Sequence, residues 1–419
     1  MKIFAAIFSG IIACTLLAAC SLASIGETDA VIAPDVDRKD ASALIAAVKN
    51  LGPDGVPETH YEVTALEAAM TANDPALIRT GAGAVFNLVA AELSGGLTPP
   101  EARLGWRMEN DAPDPGALAA LEEKAFDTGD FAQAFATLAP RHAQYRQLKA
   151  ALAAEGLDPE QKARLRLNME RWRWMPHDLG ADYILVNVPA FELMLVRGGK
   201  ITARRRVVTG SPALPTPQLK AIVTGVIFNP TWFVPPSIVR ESVGALLKND
   251  PARAKRLGYY LGTDGGVRQK PGPANALGQM KLVMPNPYSV FLHDTPSKDA
   301  FQREPRALSH GCIRVEDATG FARILLGDAI SDDEFKDILS KRRTVEIDLD
   351  TPLPVYVSYF TAFAAEDGAV AFYADAYGLD APLLARFGGA PAEGGDPIKS
   401  LIEEACPESA NDAALPENL

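Results

Sequence analysis

Tyr183-Ile-Leu-Val-Asn-Val188, Glu192-Leu-Met-Leu-Val196 and Ile201-Thr-Ala-Arg-Arg-Arg-Val-Val-Thr209 are short β-branched or apolar runs, parted by Pro189 and by Gly198-Gly-Lys200. Runs of this length between turn formers predict consecutive strands of a β-meander. Further strand candidates lie at 221–229, 281–284, 289–292, 344–347 and 355–363, with a helix at 317–326. A β-rich domain over residues 181–363 is the result. Upstream the pattern changes. Residues 61–157 are Ala- and Leu-rich with helical spacing at 65–72, 75–91, 115–125 and 131–138, cut by Gly95-Gly-Leu-Thr-Pro-Pro100. They predict an all-α accessory domain, so the fold class is α+β. Asp158-Pro159-Glu160 supplies a cap, a first-turn proline and an early acid for a connecting helix in 158–180. Residues 20–60 are polar with scattered Asp and Pro and read as a tether, although 42–51 has the pattern of a short helix. Residues 364–419 read as a C-terminal extension, partly disordered where Asp, Glu, Pro and Ala dominate from Ala390.

Chemistry concentrates in Ser309-His310-Gly311-Cys312-Ile313-Arg314, where Cys312 lies nineteen residues beyond His293. A thiol near its ordinary pKa of ~8.5 is only slightly ionised at neutral pH and needs a base. The chain holds only five histidines, and His293 and His310 both fall near Cys312. That clustering points to cysteine acyl transfer. Residues 233–276 interrupt the sheet with Phe-Val-Pro-Pro-Ser237, a charged helical stretch and a Gly/Pro-rich return. An insertion of this length carries its own structure, as an active-site lid or as a solvent-exposed excursion.

With its flanks, the motif resembles the L,D-transpeptidase family, whose YkuD-type catalytic domain remodels bacterial peptidoglycan. Asn168-Met-Glu-Arg-Trp-Arg-Trp-Met-Pro176, Val186-Asn-Val-Pro189, Thr209-Gly210, Pro215-Thr-Pro217, Asn229-Pro-Thr-Trp-Phe-Val-Pro-Pro236, Pro271-Gly-Pro-Ala-Asn-Ala-Leu-Gly278 and His293-Asp-Thr-Pro296 resemble its large periplasmic, YcbB-like subgroup. Leu138-Ala-Pro-Arg-His-Ala-Gln-Tyr145 resembles the end of that subgroup's helical scaffold. The resemblance covers residues 61–378 and implies a β-rich catalytic domain with 233–276 as a capping subdomain, preceded by an all-α scaffold domain. Many members carry a peptidoglycan-binding module between the two, but here only a short stretch, Lys149 to Gln161 and the first turns of the connecting helix, separates Leu148 from the Asn168 motif.

The resemblance implies that Cys312 attacks the meso-diaminopimelate carbonyl of a tetrapeptide stem, releases D-alanine and leaves a thioester. An amine of a second stem then takes the acyl group and forms a 3-3 cross-link. Water, a D-amino acid or a lysine of a wall-anchored lipoprotein are alternative acceptors, and a non-catalytic wall binder is the alternative of another class. Carbapenems generally acylate this family. By resemblance His293 is the general base, its other ring nitrogen held by the Asp294 carbonyl. His310 either assists proton transfer or locks the loop. The amides of Gly311 and Cys312 are candidate oxyanion donors. Arg314 either holds a substrate carboxylate or pairs with Glu316 or Asp317. Ser309 is expected to support the motif at the substrate site, and Trp232 either stacks on the stem or packs in a core. His60, His142 and His177 have no motif around them and are read as structural. No metal site or cofactor is expected.

Lys2, the apolar run 3–19 and Leu17-Ala18-Ala19-Cys20 read as a lipoprotein signal peptide over 1–19, with Cys20 as the lipidated residue. Ser21 matches sorting to the outer membrane, so a periplasmic, lipid-anchored protein is expected. Cys406 is read as a surface thiol; a bridge to Cys312 would silence the nucleophile. A net charge of −12 argues against nucleic acid. The expected partners are peptidoglycan stem peptides, the outer membrane, and cell-wall enzymes or wall-anchored lipoproteins.

Overall fold

The computed structural model describes residues 36–387 apart from 59, 62, 111 and 112. The signal segment 1–19, Cys20 and Cys406 lie outside the described residues. The tether expectation needs correction at its C-terminal end. Asp37 and Asp40 form a capping box that starts α1 (Arg38–Lys49), and Ala41, Leu44, Ile45 and Val48 bury one face of it. The polar residues that suggested a tether, among them Arg38, Lys39 and Ser42, are the solvent face of this amphipathic helix.

α1 packs with α2 (Thr64–Ala72), α3 (Pro75–Gly95), α4 (Pro115–Thr128) and α5 (Phe131–Leu138) around one core. Asp74 caps α3 with Pro75 at its first position. By length and composition α3 is apolar enough to cross a membrane, yet its Val85, Phe86, Val89 and Leu93 are the centre of this core. The rings of Phe126, Phe131 and Phe135 surround Phe86 at 5.5–6.4 Å. α6 (Ala143–Leu152) is followed after a short turn by α7 (Pro159–Trp174), so nothing of domain size intervenes.

β1 (Tyr183–Asn187), β2 (Glu192–Arg197) and β3 (Lys200–Gly210) form the expected consecutive antiparallel hairpins. Beyond them the order departs from a meander. β4 (Leu219–Phe228) leads into the insertion, which comprises β5 (Trp232–Phe233), α8 (Pro236–Ile238), a π turn at Val239–Val243, α9 (Gly244–Asn249), α10 (Pro251–Arg256), β6 (Tyr259–Leu261) and β7 (Val267–Gln269). Its strands make a separate sheet, β5-β7-β6, over a small core of Trp232, Val234, Val243, Val267 and Leu277.

The chain returns through β8 (Met280–Val283), β9 (Leu292–His293), β10 (Ala307–Ser309) and β11 (Ile313–Val315), then α11 (Ala318–Leu326), α12 (Asp332–Lys341) and β12 (Val345–Ser358). The main sheet runs β10-β3-β11-β9-β8-β4-β12-β1-β2, and β2 pairs again with β3, which closes it on itself. β3 is long enough for both tasks: residues 200–206 pair with β2, and Val207 and Val208 with β11. Ile184, Val186, Leu193, Val207, Phe228, Leu282, Leu292, Ile313 and Val355 fill the interior together with Phe321 and Leu325 of α11.

The strands expected at 344–347 and 355–363 begin in a single strand, β12, whose register against β4 shifts between Asp348 and Leu353. That irregularity accommodates Pro352, while Pro354 stays in register opposite Ile222. The strand expected at 289–292 shortens to β9 because Ser289 takes a positive φ of 54°. The C-terminal extension is ordered as far as it is described. β13 (Ala362–Ala364) pairs with β14 (Val370–Phe372), and α13 (Asp380–Phe387) lies on α7.

α7 joins these layers. Glu170, fully buried, accepts from Trp174 Nε1 at 2.9 Å, the Thr98 amide at 2.8 Å and Arg173 Nη1 at 3.2 Å. Arg171 Nη1 meets Asp380 Oδ1 at 2.7 Å. Gln144 of α6 exchanges two hydrogen bonds, of 2.6 and 2.8 Å, with the backbone of Ala364.

Candidate active site

Three strands of the closed sheet set the site. Across β8, β9 and β11 the register places Lys281 opposite His293 and His293 opposite Arg314. Cross-strand partners share a face, and alternation puts Cys312, two residues before Arg314, on that face as well. The sheet thus sets His293 between Lys281 and Arg314, and both the imidazole and the Cys312 thiol feel these two cations.

The motif turn is held from below. Ser309 Oγ donates to the Cys312 carbonyl at 2.6 Å and accepts the Gly311 amide at 3.1 Å. Thr216 Oγ1 donates to the Gly311 carbonyl at 2.8 Å and accepts the Gly210 amide at 2.8 Å. Tyr377 of the C-terminal extension donates to the Gly210 carbonyl at 2.8 Å. Gly311 has a φ of 107°, a conformation that side chains rarely adopt.

Two expectations change here. The Gly311 amide is occupied by Ser309, which leaves the Cys312 amide as the motif donor for an oxyanion. Ser309 supports the motif backbone as expected, but it is buried and spends its hydroxyl there, so its expected contact with substrate is what changes.

His293 is buried, and its Nδ1 is hydrogen-bonded to the Asp294 carbonyl. That bond makes Nδ1 the protonated nitrogen and leaves Nε2 with the lone pair. Asp294 is fixed in turn by the Gln279 amide at 2.9 Å and by Lys298. Gly278 lets the chain pass, since a Cβ there would lie 2.3 Å from Asp294 Oδ2.

Burial lowers the His293 pKa from 6.5 to about 4, and Arg314 and Lys281 push the same way against the opposing Asp294 contacts. Burial raises the Cys312 thiol above its ordinary value, while the Phe291 amide, Lys281 and Arg314 offset part of the rise. Burial also depresses Lys281 and Arg314, and Cys312 pulls both back up. The resting pair is a thiol beside a neutral imidazole, with positive charge ready for the thiolate.

Arg314 does not pair with its acidic neighbours. Glu316 binds Arg206 at 2.5 Å and Asp317 binds Arg205 at 3.2 Å. His310 points to the insertion instead, where its Nε2 meets Glu241 of the π turn at 3.0 Å. Trp232 lies 9% exposed inside the insertion core beside Tyr259, so its ring packs and does not line a cleft. His60 pairs with Glu92, and His142 stacks on Trp172. The sequence reading missed Lys281 and Thr216. A lone lysine in the apolar run Met280-Lys-Leu-Val283 is a signal for the first; the motif Pro215-Thr-Pro217 marks Thr216, but its contact with Gly311, ninety-five residues away, is not legible there. Volume does not mark the site: a groove of about 740 Å³ between scaffold and sheet is lined by His142, His177 and Tyr183 but by none of the motif residues.

Residues 181–347 match the family model described as the L,D-transpeptidase catalytic domain, YkuD, and residues 32–152 match the Scaffold domain. A curated protein of Haemophilus influenzae named "Putative L,D-transpeptidase" is 31% identical over 238 residues, 52% of this chain and 48% of its own length. The chain therefore spans about half the length of that curated relative. Among solved structures, L,D-transpeptidase 1 of Mycobacterium tuberculosis is 14% identical over 42% of this chain and 60% of its own, with a TM-score of 0.20. An L,D-transpeptidase of Enterococcus faecium is 15% identical over 44% and 51%, with a TM-score of 0.22. Residues 181–347, in which His293 lies opposite Arg314 two residues beyond Cys312, are a YkuD-type L,D-transpeptidase catalytic domain carried behind a Scaffold domain.

Proposed function

We propose that this chain is a cysteine-dependent peptidoglycan L,D-transpeptidase that forms 3-3 cross-links. The observation that carries the reading is the row Lys281, His293, Arg314 with Cys312 on the same face. Cys312 Sγ attacks the meso-diaminopimelate carbonyl of a tetrapeptide stem as His293 Nε2 takes its proton, and the Cys312 amide steadies the developing oxyanion. The C–N bond to D-alanine breaks, the amine leaves with the proton from His293, and a thioester remains. An amine of a second stem gives its proton to His293, attacks the thioester and restores the thiol. Arg314 and Lys281 suit the carboxylates that stem peptides carry.

The work is done in the periplasm, on a chain held to the outer membrane through lipid on Cys20. Supporting that reading are the apolar run 3–19 and the small residues before Cys20. Metabolic palmitate labelling of the intact chain checks it: label is expected, and uptake by a Cys20→Ala chain would refute it.

For the reaction, the protein is incubated with tetrapeptide muropeptides and the products are weighed by mass spectrometry. Dimers joined 3-3 are expected. Tripeptides or D-amino acid exchange products without dimers would redirect the acyl group to water or to an amino acid. Cys312→Ala is expected to abolish covalent labelling by a carbapenem, and persistent labelling would place the nucleophile elsewhere.

A further inference from the structure

The insertion differs in charge from the rest of the chain. Between 233 and 276 it holds seven basic residues and three acidic ones, a net +4 inside a chain of −12. Arg240, Lys248, Arg253, Lys255, Arg256 and Lys270 are exposed, and none forms an ion pair among the described residues. Of the three acids, Asp264 is taken by Arg268 at 2.8 Å and Glu241 by His310. The positive charge therefore faces solvent without local compensation.

The same subdomain presents an aromatic face. Register across β5, β7 and β6 aligns Phe233, Arg268 and Tyr260 on one side of the small sheet. Phe233 is 66% exposed, with the Arg268 guanidinium 4.9 Å from its ring centre. Lys270 lies 5.5 Å from the Tyr260 ring. The opposite face, with Trp232, Gln269 and Tyr259, turns toward the insertion's core. An exposed Phe233 ring and a half-buried Tyr260 ring among exposed, unpaired cations such as Lys270 suit a ligand that combines carboxylates with apolar surface.

We propose that the insertion is the docking surface for the peptidoglycan polymer itself, gripping its carboxylate-bearing stem peptides outside the catalytic cleft. This rests on the peptidoglycan reading given above. Charge complementarity supports it: each stem peptide is an oligoanion, and the acidic remainder of the protein is repelled by the wall, so the insertion faces it.

The test is co-sedimentation of the intact protein with purified sacculi over rising NaCl. The wild type is expected to sediment at low salt and to be released as salt screens the contact. Arg253→Glu/Lys255→Glu/Arg256→Glu is expected to lose about tenfold or more in retention. A control with the same charge change on other helices, Lys124→Glu/Lys336→Glu/Lys341→Glu, is expected to lose less than twofold. Sacculi whose carboxylates are blocked as amides are expected to retain neither protein. Equal losses in the two variants, or undiminished binding to blocked sacculi, would overturn the proposal. Preferential, insertion-dependent binding to phosphatidylglycerol vesicles would replace the wall with a membrane and overturn it too. Carbapenem acylation of Cys312 is followed in every variant. Unchanged acylation shows that the variants fold, and its absence from the wild type would sink the catalytic reading while leaving the sedimentation result to stand or fall alone.

Discussion

Cys312 and His293 are held uncharged at neutral pH for one reason, since withdrawal from water penalises both a thiolate and an imidazolium. In the proposed reaction, attack on a carbonyl then has to move the proton in the same step. Alkylation of Cys312 by iodoacetamide is expected to accelerate about tenfold per pH unit from 6 to 8 without a plateau. A plateau below pH 7 would mean a preformed thiolate and imidazolium pair. The same burial affects stability. The unfolded chain protonates His293 near 6.5 and the native one only near 4, so its contribution is complete above pH 6.5 and is lost as pH falls toward 4. About 3 kcal/mol is at stake across that window. His142, also lowered to about 4 by burial, adds in the same direction. Thermal melts from pH 7 to 4 are expected to fall more steeply for the wild type than for His293→Gln. Thr216→Val leaves the Gly210 amide and the Gly311 carbonyl without their partner and is expected to cost about 1–3 kcal/mol and to slow carbapenem acylation. Of the candidate site, the placement of Cys312, His293 and Arg314 in one motif region was legible because short motifs and their spacing carry them. Lys281 was not, because its place beside His293 is a product of strand register.

Elements show the same division between local and distant causes. Caps, turn formers and apolar spacing announced α3, α7 and the first three strands, since each is decided within a few residues. Of α1 only the pattern of a short helix at 42–51 is legible, because its solvent face is polar and its partner helices come later in the chain. β12 reads as two strands because prolines usually end a strand, and only pairing with β4 on both sides of the irregularity keeps it whole. At the insertion's return, Gly278→Ala combines a positive φ of 61° with a Cβ 2.3 Å from Asp294 Oδ2. A loss of about 2–3 kcal/mol in denaturant unfolding is expected, together with slower acylation as Asp294 and then His293 are displaced. Glu241→Ala removes the contact between the π turn and His310, whose side chains are 44% and 56% exposed in the order His310, Glu241. An exposed pair holds weakly, so amide exchange in 233–276 is expected to quicken while carbapenem acylation shifts by no more than about threefold.

Across the whole molecule, the scaffold and the sheet are tied through charges that water does not reach. Glu170→Ala would strand the buried Arg173 guanidinium and remove the partner of Thr98 and Trp174, at a cost of about 3–5 kcal/mol. Calorimetry is expected to show one transition for the wild type, with both regions melting together, and a lowered transition for the variant. A two-peaked wild-type trace would mean that the tie is weaker than its burial implies. The composition of α7 gave the sequence reading a helix but not this role, because a charged helix is ordinarily a solvated one. The neck of the insertion has a different kind of consequence. Phe228 pairs with Met280, and the Asn229 amide donates to the Gln279 carbonyl at 2.9 Å, so the segment leaves and re-enters the sheet at neighbouring points. Chain ends that close together form a natural splice site. Residues 231–277 could be exchanged for a two-residue hairpin turn, or for a cassette from another source, without asking the strands on either side to move.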